Sequence, residues 1–190
     1  MKYVCSLLLS VCIGLNAWAE APIAAIQAVL VKPAKLCGHF EQVKQLVDIK
    51  KPLVSSGHFC VESGKEIVWA TEKPFTNTLT LTPDSIRQSH GTVVTSDLNA
   101  KQEPVVKMIN NVLFSLLAGD LTQLQQLFIF NGAILGKQWY ITLDGRDPHL
   151  AQALGQIKLQ GSRFVKQVVM RASNGDKTTI VFSQLKTAHA

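Results

Sequence analysis

Residues 52–82 read PLVSSGHFCVESGKEIVWATEKPFTNTLTLT, and the periodicity of this stretch decides the fold class. Side chains of an extended chain alternate between two faces. LVSSGHFCVE (53–62) and KEIVWAT (65–71) carry β-branched and aromatic residues, and Ser63-Gly64 between them suits a short hairpin turn. TLTLT (78–82) alternates without a break, with its threonines on one side and Leu79 and Leu81 on the other. Three consecutive antiparallel strands are expected. The stretch also gathers His58, Cys60 and several glutamates, so it is either part of an active site or one wall of a container.

Working outward, PIAAIQAVLVKPAK (22–35) spaces Ile23, Ile26, Leu30 and Val31 for a short amphipathic helix that ends near Pro33. GHFEQVKQLV (38–47) reads as a strand and DIKKP as a turn. SIRQS and GTVVT add short strands after residue 82. At Pro104 the period changes. PVVKMINNVLFSLLAGD places proline at the favoured first helical position and ends with Gly119. Its apolar residues, among them Met108, Ile109, Val112, Leu113 and Leu116, cover a wider arc than one buried stripe needs. A second short helix is expected at LTQLQQLF. Strands return at QWYITLD (138–144), IKLQG (157–161), RFVKQVVMRA (163–172) and TTIVFSQL (178–185), with a loop or turn of helix at DPHLAQAL. Nine to eleven strands with helices at the start and middle predict an α+β domain whose sheet curls around its helices. No linker or repeat divides residues 20–190.

The first residues, MKYVCSLLLSVCIGLNAWAEAP, combine Lys2, an apolar run and Ala17-Trp18-Ala19. This predicts a secretory signal peptide over residues 1–19, too short to span a bilayer, which needs about 20 apolar residues. The mature chain is expected to be secreted across one membrane. The formal charge of +6 falls by one with Lys2. The basic residues are scattered and form no run interleaved with aromatics, which excludes nucleic acid as the main partner. A mild lysine excess is compatible with transient contact with an anionic membrane surface.

Two cysteines remain beyond the leader, Cys37 and Cys60, and an oxidising compartment favours a bridge between them. Cys37-x-His39 and His58-x-Cys60 are also mirror images about the turn. If 37 faces 60, all four side chains share one sheet face, a set that suits zinc. The redox compartment and the non-standard spacing favour the disulfide, so no metal or other cofactor is expected. Catalysis finds little support. No G-x-S-x-G turn presents a nucleophile, Asp147-Pro148-His149 reads as a polar turn, and the glutamates fall on different strands. What remains is a surplus of apolar residues: Phe40, Phe59, Ile67, Trp69, Leu79, Leu81 and helix 104–118. It fits an ordinary filled core or a partly filled pocket for an acyl chain.

The order of motifs resembles the outer-membrane lipoprotein carrier protein (LolA) family, and its divergent LolA-like branch most. The residues that carry the likeness are Phe40-Glu41-Gln42-Val43-Lys44, Ser56-Gly57-His58-Phe59, Glu66-Ile67-Val68-Trp69, Pro74-Phe75, Leu116-Leu117-Ala118-Gly119-Asp120 and Trp139-Tyr140-Ile141-Thr142-Leu143. The resemblance implies an incomplete antiparallel β-barrel, with helices 22–32 and 104–118 as a lid over a hydrophobic cavity. It implies a monomeric, periplasmic shuttle that is not an enzyme. Such a shuttle takes an acylated lipoprotein, or another lipid, from an inner-membrane transporter to an outer-membrane acceptor. Leu30, Ile67 and Trp69 match the family's cavity positions. Phe59, Leu79, Leu81 and the helix residues Met108, Ile109, Val112, Leu113 and Leu116 extend that set by pattern. Standard carriers hold the lid with an Arg-Pro pair where Ser63-Gly64 stands here, and neither residue replaces a guanidinium. The alternative is a non-catalytic interaction subunit of a glycolipid export system, with its core filled.

Overall fold

The computed structural model describes residues 23–99, 102 and 104–188. The expected leader, residues 1–19, lies outside them. Six strands come first: β1 (Lys35–Gln45), β2 (Leu53–Glu62), β3 (Glu66–Lys73), β4 (Asn77–Thr82), β5 (Ser85–His90) and β6 (Val93–Asn99). Before them lies helix α1 (Ile23–Val29), and after them helix α2 (Pro104–Ala118) and a 3-10 turn, Thr122–Gln126. Five strands follow: β7 (Phe128–Leu135), β8 (Gln138–Gly145), β9 (Gln156–Gly161), β10 (Val165–Arg171) and β11 (Lys177–Ala188), with helix α3 (Pro148–Leu154) between β8 and β9.

All eleven strands form one curved antiparallel sheet in the order β6-β5-β4-β3-β2-β1-β11-β10-β9-β8-β7. It comprises two up-and-down meanders joined where the first strand pairs with the last, as in Gln42 opposite Ile180. The sheet stays open between β6 and β7. This is the incomplete barrel that the motif order implied. β7 was not anticipated, and β1 begins three residues earlier than the alternation suggested, because Leu36 and Cys37 pair with Val61 and Cys60.

Alternation sends one set of side chains to the inner face. Phe40, Phe59, Val61, Ile67, Leu81, Trp139, Ile141, Leu143, Ile157, Leu159, Val168 and Phe182 are all buried, each contributing about 1.5–3 kcal/mol by leaving water. Phe40 stacks on Trp69 with ring centroids 3.9 Å apart, and Phe182 meets Phe59 edge-on at 5.1 Å. Helix α2 lies over this face against β2 and β5, α1 against β7, and α3 against β8. No described helix is long and apolar enough to cross a membrane.

Helix α1 stops earlier than the expected 22–32. Val31 N–H donates to the Arg163 carbonyl at 2.8 Å instead of continuing the helix, and Pro33 disfavours helical geometry in the residue before it. The Ser56-Gly57 step of the motif is also forced by packing. A Cβ on Gly57 would lie 1.9 Å from the Ala70 carbonyl oxygen on β3.

Candidate functional site

Between helix α2 and the inner face lies a cavity of about 310 Å³. Three parts of the chain build it. β3 and β4 contribute Ile67, Trp69, Leu79 and Leu81, and α2 contributes Val112, Leu113, Leu116 and Leu117. The second meander and α3 complete it with Leu154, Ile157, Val168, Met170, Ile180 and Phe182. Among the described lining residues Gln42 carries an amide, and none has a titratable side chain. Ligand sites have this character, mostly apolar with few polar groups, and this volume sits at the lower end of their usual range of about 300–1,000 Å³. What the space offers is a solvent for hydrocarbon.

Seven of the residues expected at a cavity are brought together in it: Ile67, Trp69, Leu79, Leu81, Val112, Leu113 and Leu116. Three others do not border it. Phe59 is buried beneath the rings of Trp69 and Phe182, where it fills the sheet's inner face. Leu30 is buried beside Gly119, at the far end of α2. Met108 is half-buried and packs on the core. The Ile109 side chain lies outside the described residues. The pattern missed the wall from β9, β10 and β11. Its signal was present in the alternations Ile157/Leu159 and Ile180/Phe182, but not along β10.

Polar contacts hold the helices over the cavity. Asn110 on α2 is 0% exposed. Its Nδ2 donates to the Thr82 carbonyl at 2.8 Å and, at a longer 3.4 Å, to that of Ser85, while its Oδ1 has no partner among the described residues. The helix is thereby tied to the β4–β5 turn. Gln27 on α1 joins the helices at their other end. Its Nε2 donates to the Gly119 carbonyl at 2.8 Å, and its Oε1 accepts from Leu121 N–H at 2.7 Å. Lys32 and Asp120 add an ion pair at 3.2 Å. The Thr122 hydroxyl, and less strongly Lys32, hold the Asp120 carboxyl below the ordinary carboxylate value. Ser63 and Gly64, where the standard carriers have Arg-Pro, are exposed in the β2–β3 turn, and the amides of Asn110 and Gln27 make the helix-to-sheet and helix-to-helix bonds.

On the outer face Cys37 pairs directly with Cys60, and His39 with His58. This is the register that a zinc set required, yet the sulfurs are joined to each other as a disulfide. The thiolates that zinc would need are consumed, and His58 Nδ1 is hydrogen-bonded to Glu72 at 3.0 Å. No cluster of three metal-ligating side chains occurs among the described residues.

Residues 19–188 match the family described as "Outer membrane lipoprotein carrier protein LolA-like". No curated protein matches the chain by sequence. Among solved structures it is similar to a LolA superfamily protein from Nitrosomonas europaea, at 7% identity over 88% of this chain and 92% of that one, with a TM-score of 0.45. A putative outer membrane lipoprotein-sorting protein domain from Vibrio parahaemolyticus is alike at 7% identity, covering 87% and 90%, with a TM-score of 0.43. MucB of Pseudomonas aeruginosa, solved with MucA, is alike at 14% identity over 88% of this chain and 56% of that one, with a TM-score of 0.49.

Proposed function

This chain belongs to the family of LolA-like outer membrane lipoprotein carrier proteins, and we propose that it is a periplasmic carrier of acylated cargo. The cargo is a lipoprotein or another lipid whose acyl chains enter the cavity beneath α2. The carrier takes it up at an inner-membrane transporter and gives it to an outer-membrane acceptor, acting as a monomer and without catalysis. Residues 1–19 would direct export, leaving residues 20–190 as the carrier domain.

One observation carries this reading: a 310 Å³ space against the sheet's inner face, lined almost wholly by hydrocarbon among the described residues. Each methylene moved there from water contributes about 0.8 kcal/mol. Entry and release would follow from parting α2 from the sheet, to which Asn110 ties it. Native mass spectrometry of the protein from its periplasm, followed by lipid extraction, tests the proposal. A co-purifying acylated species that is lost in Ile67→Glu supports the carrier and identifies the cargo class. An empty protein that also ignores added lipids and apolar probes would point instead to an interaction subunit with a closed core.

A further inference from the structure

Four hairpin tips lie side by side along one rim of the sheet. In spatial order they are the β5–β6, β3–β4, β1–β2 and β10–β11 connections. Specific contacts tie them together. His90 Nδ1 bonds the Thr76 carbonyl at 2.7 Å, Ser56 pairs with Lys73, and Val47 N–H donates to Asp176 Oδ1 at 3.0 Å. Three of the four tips push large apolar side chains into solvent. Phe75 is 80% exposed, Val47 66% and Val93 64%, with Ile49 and Leu53 beside them. At the opposite rim the β2–β3 and β4–β5 turns, Ser63-Gly64 and Pro83-Asp84, carry none, and the β7–β8 turn exposes Leu135. The apolar rim is also basic. Residues 44–53, 71–77, 90–94 and 171–177 hold six lysines and arginines against three carboxylates. One of the three, Asp176, already accepts from Val47 N–H and Asn174.

The cavity points at the same rim. Its lining at the far end, Ile67 and Leu81, is buried, whereas Gln42, Leu154, Met170 and Ile180 are half-buried. Strand pairing continues that inner face toward the tips. Gln42 stands opposite Ser55, then Lys44 opposite Leu53 and Thr178. Hydrocarbon therefore gives way to amide, hydroxyl and ammonium groups as the inner face approaches the rim.

We propose that these four tips form an edge that docks on the surface of an anionic phospholipid bilayer and turns the polar end of the cavity toward it. The proposal deepens the carrier reading and rests on it for the edge's purpose. Apolar side chains spread over three tips, with lysines beside those of the β1–β2 and β3–β4 tips, fit a soft interface that takes single residues between headgroups. A protein partner would instead be met by a contiguous patch.

The test uses the full mature chain with vesicles of phosphatidylglycerol and phosphatidylethanolamine, and with phosphatidylcholine vesicles as the neutral control. Co-sedimentation is expected with the anionic vesicles and to weaken with salt. The double variant Phe75→Asp/Ile49→Asp should lower the partition coefficient by about tenfold or more, and Lys50→Glu/Lys51→Glu by a similar factor. A fluorescent apolar probe should still fill the cavity in both, which separates failure of the edge from failure of the carrier reading. Phe75→Trp should show a blue-shifted emission on adding anionic vesicles. Binding that is equal on both vesicle types, or unchanged in the two double variants, overturns the proposal. So does a Phe75→Trp emission that never moves, or binding of a protein partner through these tips while vesicles are ignored.

Discussion

Replacing Asn110 with alanine should loosen helix α2 more than it loosens the sheet. The side chain is wholly buried and donates twice to the β4–β5 turn, at 2.8 and 3.4 Å. The shorter bond is worth about 0.5–1.5 kcal/mol net, and stripping the Thr82 carbonyl of its donor adds a desolvation cost of about 1–3 kcal/mol. The longer bond adds little. Relaxation and the loss of the orphan Oδ1 offset part of this, which leaves a net change of about 1–2 kcal/mol. At about 1.4 kcal/mol per tenfold, the helix should open roughly five to thirty times more often. Hydrogen exchange read by mass spectrometry checks this directly. Amides of residues 107–118 should exchange faster by that factor, while those of β1 and β11 hold their rates. An apolar probe should enter the cavity correspondingly faster. Asn110→Leu keeps the bulk and removes the donor, so it should loosen α2 as well. If both variants lose stability evenly across the fold, with no preferential exchange in α2, then Asn110 is plain core and the reasoning fails.

Reducing the Cys37–Cys60 bond, which closes a loop with a sequence separation of 23, should cost about 3 kcal/mol in the chain-entropy treatment; denaturant titration with and without reductant measures it. Gly57→Ala should destabilise the fold by several kcal/mol or prevent folding, because its Cβ would meet the Ala70 carbonyl oxygen at 1.9 Å. A soluble variant with an unshifted melting temperature would contradict that placement. Asp120, whose carboxyl is held below its ordinary value of 3.8 by the Thr122 hydroxyl and Lys32, stabilises the folded state fully above that value. The contribution is lost as the pH falls through the lowered folded value. Melting temperatures of the parent and of Asp120→Asn should therefore differ at neutral pH, begin to converge below about pH 3.8 and meet below the lowered folded value.

Much of the first meander was legible because its strands alternate cleanly. TLTLT placed Leu79 and Leu81 inward, and β2 runs over the same ten residues that its sequence suggested. β7 was hidden by two features. Leu127 and Phe128 extend the spacing of the preceding helical turn, and Asn131-Gly132 imitates a hairpin in the middle of a strand. Gly132 is there because α1 packs closely, so that a Cβ would lie 2.9 Å from Ile26 Cδ1. The second wall of the cavity was obscured by irregular pairing. A shift between Val165 and Gln167 moves the inward phase of β10 from Val165 to Val168, so plain alternation along RFVKQVVM points to the wrong residues. The bonds that hold the helices were the least legible, since Asn110 and Gln27 meet partners far along the chain.

The seam between β1 and β11 governs how the container comes into being. The strand made first waits for the strand made last, across almost the whole chain, and such distant pairing is slow to form. Until that moment β1 to β6 form only half a shell, with Phe40, Phe59 and Trp69 facing open solvent instead of Phe182. A nascent molecule halted there would present a long unpaired edge and an uncovered greasy surface, both of which invite self-association. The same apolar face that suits the protein to hold a lipid makes its own unfinished form a hazard, and only the final dozen residues of sheet remove it.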